Sequence, residues 1–199
     1  MQAILNFDWA VFQFIEKHLW CPALDIVMTF ITRLGNGGLV WIVIAVVLLF
    51  FKKYRKFGIM MMIGLILSLI INDNILKPLF ARPRPFILEA WSGKFNYPNL
   101  IPRPSDYSFP SGHTSSSFAA AVVLLFTRKK WLSIPALMLA FLIGFSRIYV
   151  HVHYATDVLA GILVGTLFAL TAVFIVNKLA PFLKDKCIKK KPETANTNN

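Results

Sequence analysis

Charge is scarce in this chain. Asp, Glu, Lys and Arg make up only 15% of its 199 residues, against about 25% in a soluble domain. So little charge cannot cover a solvated surface, which excludes an ordinary soluble fold. Acidic residues are scarcer still, 9 against 21 Lys and Arg, a net charge of +12. That excess does not point to nucleic acid, because basic and aromatic residues never interleave on a polar surface. Cysteine is nearly absent. Cys21 and Cys187 lie at opposite ends, with no metal or redox spacing between them, and no disulfide is expected. No Cys cluster, His-x-x-x-His pair or acidic cluster offers an obvious metal cage. No internal repeat and no second domain is visible. The opening "MQAILNFDWAVFQFIEKHLW" lacks a basic n-region and carries Asp8 and Glu16, so no cleavable signal peptide is expected.

What is present is hydrocarbon: 57% of residues are hydrophobic and 14% aromatic, with mean hydropathy +0.63. The chain reads as a polytopic membrane protein, all-α, with six transmembrane helices and an amphipathic N-terminal segment. Residues 7–20 place Phe7, Val11, Phe14 and Ile15 at helical spacing, as in an interfacial helix. "CPALDIVMTFITRLG" is too short to span alone, so it joins the preceding segment as span 1, bent near Pro22. "GNGG" (35–38) is a tight turn. Span 2 follows at 39–51, span 3 at 57–76, span 4 at about 113–127, span 5 at about 131–149 and span 6 at about 154–177. Residues 1–184 form a single transmembrane domain. The tail, 185–199, is polar and reads as disordered and cytoplasmic.

Basic clusters set the orientation. "FKKYRKF" (51–57), "TRKKW" (127–131) and the C-terminal tail all fall on one side if spans 2 to 6 alternate, and that side is the cytoplasm. The polar stretch 77–112 holds seven of the eleven prolines and lies outside, yet it carries Lys77, Arg82, Arg84, Lys94 and Arg103. A basic segment left outside needs a reason, and an anionic ligand is one.

Three stretches converge on that outer face. In "KPLFARPRP" (77–85), Lys77, Arg82 and Arg84 supply cations; arginine's planar fork matches phosphate oxygens, although snorkelling to headgroups accounts for such residues equally well. "PSGH" (110–113) opens span 4, where unpaired N–H groups and the helix dipole bind anions. Ser111 can cap the helix or donate its hydroxyl, Gly112 lets backbone approach a ligand, and His113 aims a titratable ring at it. The plainer alternative is an N-cap with an incidental His. In "SRIYVHVHYATD" (146–157), His153 and Asp157 are four apart and share a helix face. Asp157 can bond one ring nitrogen, leaving the other free as base or nucleophile. Arg147 adds a second phosphate fork. A structural ion pair closing a helix joint is the alternative. His151, six residues from Asp157, suits that face poorly and reads as a rim residue. The arrangement suggests metal-independent phosphoryl transfer through a phosphohistidine, with no cofactor.

These stretches resemble the signature of the type 2 phosphatidic acid phosphatase family, which includes the vanadium haloperoxidases. Lys, six residues, then Arg-Pro is Lys77 through Arg84-Pro85. Pro-Ser-Gly-His is intact at 110–113. Ser-Arg, five residues, His, three residues, Asp is Ser146-Arg147, His153 and Asp157. The resemblance implies His153 as nucleophile, Asp157 orienting it, and His113 protonating the leaving oxygen and then activating water. Lys77, Arg84, Ser111, the Gly112 amide and Arg147 would hold phosphate oxygens. Many relatives carry Gly where this chain has His151. The resemblance further implies a bacterial plasma-membrane lipid phosphatase with its site on the extracytoplasmic face and its C-terminus in the cytoplasm. The expected substrate is a lipid phosphate or pyrophosphate, first of all undecaprenyl pyrophosphate, with phosphatidylglycerophosphate and phosphatidic acid as alternatives. A haloperoxidase fits poorly, since those relatives resemble soluble proteins. A non-enzymatic transporter or scaffold predicts charges inside several spans, and the span interiors here are almost free of them.

Overall fold

The computed structural model of the chain describes residues 2–87 and 99–189, the last ten by backbone alone. Among the described residues all regular structure is helical. Lys94 of the outer loop and residues 190–199 of the expected tail lie outside them. Residues 185–189, expected as part of that tail, continue the last helix.

Helix α1 (Gln2–His18) buries Asp8, Phe12 and Ile15 and exposes Ile4, Phe7 and Phe14, the amphipathic face expected of it. It ends before Cys21, and Pro22 opens α2 (Pro22–Leu34) at the first helical position, where its missing N–H is no loss. The joined span 1 is therefore not seen. Instead α2 continues through a short 3-10 turn, Asn36–Gly38, into α3 (Leu39–Phe50), the two helices meeting at a 49° bend. Gly37 and Gly38 make the bend at φ 57° and 68°, a region that a residue without Cβ enters freely.

Helix α4 (Arg55–Leu67) returns after the first basic cluster. It then widens into a π-helical stretch, Ser68–Leu76, and closes with a single turn, α5 (Lys77–Phe80). A wide turn of this kind redirects side chains at functional sites; here it carries Asn72 and Asp73 and delivers Lys77. Helix α6 (Gly112–Leu125) is the centre of the bundle, its residues from Ser117 to Leu124 all buried. It packs against α4, α7 (Lys130–Tyr149) and α8 (Ala155–Lys189). Small residues bring these helices together. A Cβ at Gly165 would collide with the Ser115 carbonyl, and one at Gly161 would lie 2.9 Å from the Ser111 carbonyl. Trp41 is fully buried, its Nε1–H donating to Ser117 Oγ at 2.9 Å.

By length and apolarity three helical segments can cross a membrane: 55–87, 130–149 and 155–179. The bent pair α2–α3 makes a fourth if counted as one span. Helix α6, with 14 residues, is about 21 Å long, short of the ~30 Å hydrocarbon core. Six separate full-length spans are not found among the described residues.

Candidate active site

A cavity of about 370 Å³ opens at the N-terminus of α6. Lys77, Arg84, Gly112, His113, Arg147 and His153 all line it. Residues from three separate stretches of sequence thus meet at one place, delivered by α5 and the following turn, by the start of α6, and by the α7–α8 junction.

His153 is almost fully buried. Its Nδ1 lies 3.3 Å from Asp157 Oδ2, while Arg84 Nη1 lies 3.3 Å from its Nε2. A carboxylate accepts and a guanidinium donates, so both partners select the same tautomer: the proton sits on Nδ1 and the lone pair on Nε2. Burial first, and then the positive charges of Arg84, Arg147 and Lys77, hold the His153 imidazole well below its usual range. The ring is therefore neutral near pH 7, with a basic nitrogen at the cavity. Asp157 is fully buried behind it. Its Oδ2 also accepts from the Tyr154 amide at 3.0 Å, and its Oδ1 from Arg82 at 2.6 Å.

The His113 ring approaches α2 closely. A Cβ at Gly35 would come within 2.8 Å of its Cδ2, so the turn can press against the ring. That contact places Asn36 Oδ1 2.9 Å from His113 Nε2.

Three cations face the cavity. Arg84 Nη1 donates to the Val152 carbonyl at 2.7 Å and Nη2 to Asp106 Oδ1 at 2.6 Å. Lys77 Nζ pairs with Asp73 at 2.8 Å and with Asp106. Burial alone would raise the Asp106 carboxyl, but the hydrogen bonds and charges of Lys77 and Arg84 outweigh it and hold the group far below the usual carboxylate range. Arg147 Nη1 donates to Thr32 Oγ1 at 2.6 Å, whereas its buried Nε–H has no acceptor among the described residues. A buried unpaired donor is costly, and an oxygen ligand in the cavity would satisfy it. Gly112 borders Lys77 so tightly that a Cβ would stand 3.3 Å from Nζ and 2.7 Å from Asp73 Oδ1.

Other residues stand elsewhere. Ser111 occupies the N-cap position of α6 without a side-chain cap; it is fully buried and its hydroxyl accepts from Thr114 at 2.9 Å. Arg82 turns away from the cavity toward Asp157 and Asp8. His151 is not at the rim. It is buried, with its ring 4.7 Å from that of Phe12 on α1, and burial pushes it down to about 4. Its φ of 55° is the left-handed conformation that glycine adopts without strain. Sequence reasoning did not single out Asn36, Asp73, Asp106, Thr32 or Asp8. Only Asp8 carried a signal, as a carboxylate between the apolar residues Phe7 and Trp9 in the first half of an amphipathic helix.

A helical membrane protein that gathers two imidazoles and three cations around a buried cavity has the parts of a phosphatase. A model of the PAP2 superfamily matches residues 53–181, and the chain belongs to that superfamily. It is 35% identical to the undecaprenyl-diphosphatase of Sulfolobus acidocaldarius, over 90% of this chain and 86% of that one. It is 28% identical to a lipid A 4'-phosphatase of Bacteroides thetaiotaomicron over 75% of this chain and 70% of that one. Among solved structures, the transmembrane PAP2-type phosphatidylglycerolphosphate phosphatase of Bacillus subtilis superposes with TM-score 0.71 at 29% identity, covering 89% of this chain and 88% of that one. The protein is a membrane phosphatase, a hydrolase.

Proposed function

We propose that the protein removes the terminal phosphate of undecaprenyl pyrophosphate through a phosphohistidine. The observation that carries this reading is His153, whose Nδ1 is held by Asp157 so that the unprotonated Nε2 stands at the cavity. Arg84 Nη1, which donates to Nε2 at 3.3 Å, must pass to a phosphate oxygen as Nε2 attacks. Nε2 attacks the terminal phosphorus; the N–P bond forms as the P–O bond to the leaving lipid phosphate breaks. His113 protonates that leaving oxygen, then takes a proton from the water that cleaves the N–P bond and releases inorganic phosphate. Lys77, Arg84, Arg147 and the Gly112 amide at the helix N-terminus stabilise the developing charge. These groups suffice for the electrostatic work without a metal.

The cavity's shape supports a lipid substrate. Besides its cations the cavity is lined by apolar side chains: Ile42 of α3, Met62, Leu65 and Ile66 of α4, and Leu69 of the π-helical stretch. A phosphate can sit among the cations while its hydrocarbon runs along α3 and α4. The basic clusters support an orientation in which α2–α3, α4–α5, α6, α7 and α8 make five crossings. Helix α1 then lies at the outer interface, the site faces outside and the C-terminus lies in the cytoplasm. Undecaprenyl pyrophosphate is released on that outer side during wall synthesis. The similarity to a phosphatidylglycerolphosphate phosphatase supports that lipid as the second reading.

A panel of undecaprenyl pyrophosphate, phosphatidylglycerophosphate, phosphatidic acid and lipid A, presented to the purified protein, tests the choice. The highest kcat/KM is expected for undecaprenyl pyrophosphate, and His153→Ala should show no release while remaining folded. Preference for another lipid would replace the substrate, and full activity of the variant would remove the nucleophile. Spheroplasts carrying the protein should release phosphate to the outer medium; release only inside would reverse the orientation.

A further inference from the structure

We propose that Asp8 and Arg82 are positioning residues for the reaction, holding Asp157 and through it His153, so that the interfacial helix α1 is part of the scaffold of the active site. The proposal rests on His153 being the nucleophile.

Arg82 is held between two carboxylates that are both fully buried. Its Nη2 donates to Asp8 Oδ2 at 2.7 Å, and its Nη1 to Asp157 Oδ1 at 2.6 Å and Thr156 Oγ1 at 2.8 Å. The guanidinium lies over the Tyr154 ring, 3.9 Å from its centroid. Both terminal nitrogens of the fork and one of its faces are therefore held. The consequence falls on Asp157. Its Oδ2 accepts a hydrogen bond from His153 Nδ1–H, but a carboxylate can rotate about its last bond. Anchoring Oδ1 to a rigid fork sets the carboxylate plane, and with it the direction in which the imidazole points. The fork in turn needs a second anchor, since one carboxylate alone would let it pivot.

Asp8 is that anchor, and its surroundings explain how a carboxylate can be buried on the bundle-facing side of an amphipathic helix. Its Oδ1 accepts from the Thr156 amide at 2.9 Å and its Oδ2 from the Thr156 hydroxyl at 2.7 Å. Thr156 lies in the first turn of α8, so a side chain of α1 satisfies an open N–H there, where the helix dipole favours negative charge. One arginine cannot neutralise two carboxylates; the α8 N-terminus compensates the second. Removing the Asp8 charge frees Arg82 to pivot, Asp157 to turn and the His153 lone pair to swing off line. Binding of the phosphate by Lys77 and Arg147 is untouched, so the loss belongs in kcat.

The alternative is a staple: Asp8 and Arg82 merely fasten α1 to the bundle. A double-mutant cycle separates the two. Asp8→Asn keeps the shape of the side chain and should lower kcat roughly tenfold with KM within about twofold, measured as phosphate release from radiolabelled undecaprenyl pyrophosphate in mixed micelles. Placed on Asp157→Asn, the same change should alter kcat less than about twofold, because the path it acts through is already broken. Wild-type kcat for Asp8→Asn, or an equal factor in both backgrounds, would overturn the proposal. If Asp8→Asn does not fold, Arg82→Lys, which keeps the charge but loses the fork, carries the same cycle with the same outcomes. An active His153→Ala protein would instead remove the nucleophile reading, whatever the cycle shows.

Discussion

Asp106 shows how a single residue can set the working range of the site. Its carboxylate bridges Lys77 and Arg84, two of the cations that a phosphate must reach. A phosphate entering the cavity competes with it. The folded carboxyl is held below its unfolded range, so the pairing is complete above the ordinary carboxylate range near pH 4 and is lost only in stronger acid. The competition is therefore constant at physiological pH. The side chain is half exposed, so the pair contributes no more than about 1 kcal/mol, equivalent to about fivefold in binding. Asp106→Asn should lower the inhibition constant of inorganic phosphate by about that factor, read from competitive inhibition. An unchanged constant would mean that phosphate binds without displacing the carboxylate. His153 and His151 are linked to acid in the same direction, in a higher pH window. Both are depressed in the fold, so the stability of their neutral, buried forms is complete above pH 6.5 and falls away as pH drops below it.

The elements carry the site through close packing rather than through length. Helix α6 is too short to traverse the hydrocarbon by itself, and glycines on α8 let it sit deep between its neighbours. Gly165→Ala should force α6 and α8 apart, destabilising the fold by about 1–3 kcal/mol and lowering the unfolding temperature in detergent. An unchanged temperature would show that the contact yields without strain. Much of this level was legible in the sequence. Apolar runs gave α3, α4, α7 and α8, and the amphipathic spacing of Phe7, Val11 and Phe14 gave α1. Two features were not. The break at Leu19–Cys21 and the continuity of α2 into α3 depend on the angle at Gly37 and Gly38, and a glycine pair permits both a reversal and a gentle bend. The π-helical stretch is equally silent, because "SLIINDNIL" holds no Pro or Gly to mark a change of helix, and only the backbone reveals the wider turn.

At the scale of the whole molecule, the polar end of the cavity is assembled from residues between Lys77 and His153, its wall is completed by the turn at 35–38 and by side chains of α3 and α4, and Asp157 behind it is linked through Arg82 to Asp8. Lys77, Arg84, Gly112, His113, Arg147 and His153, which line it, could be read in advance as cations, a glycine and imidazoles in stretches that resemble a family signature. Their partners could not, since Asn36, Asp73, Asp106 and Thr32 come from turns and helices whose register only the fold sets. In the proposed reaction this assembly turns one imidazole into a nucleophile. Rapid alkaline quenching of the protein during turnover of radiolabelled substrate, followed by peptide mapping, tests that claim most directly. The expected result is label on His153, stable to base, labile to acid and absent from His153→Ala. Turnover with no label on His153, or with label on His113, would contradict it.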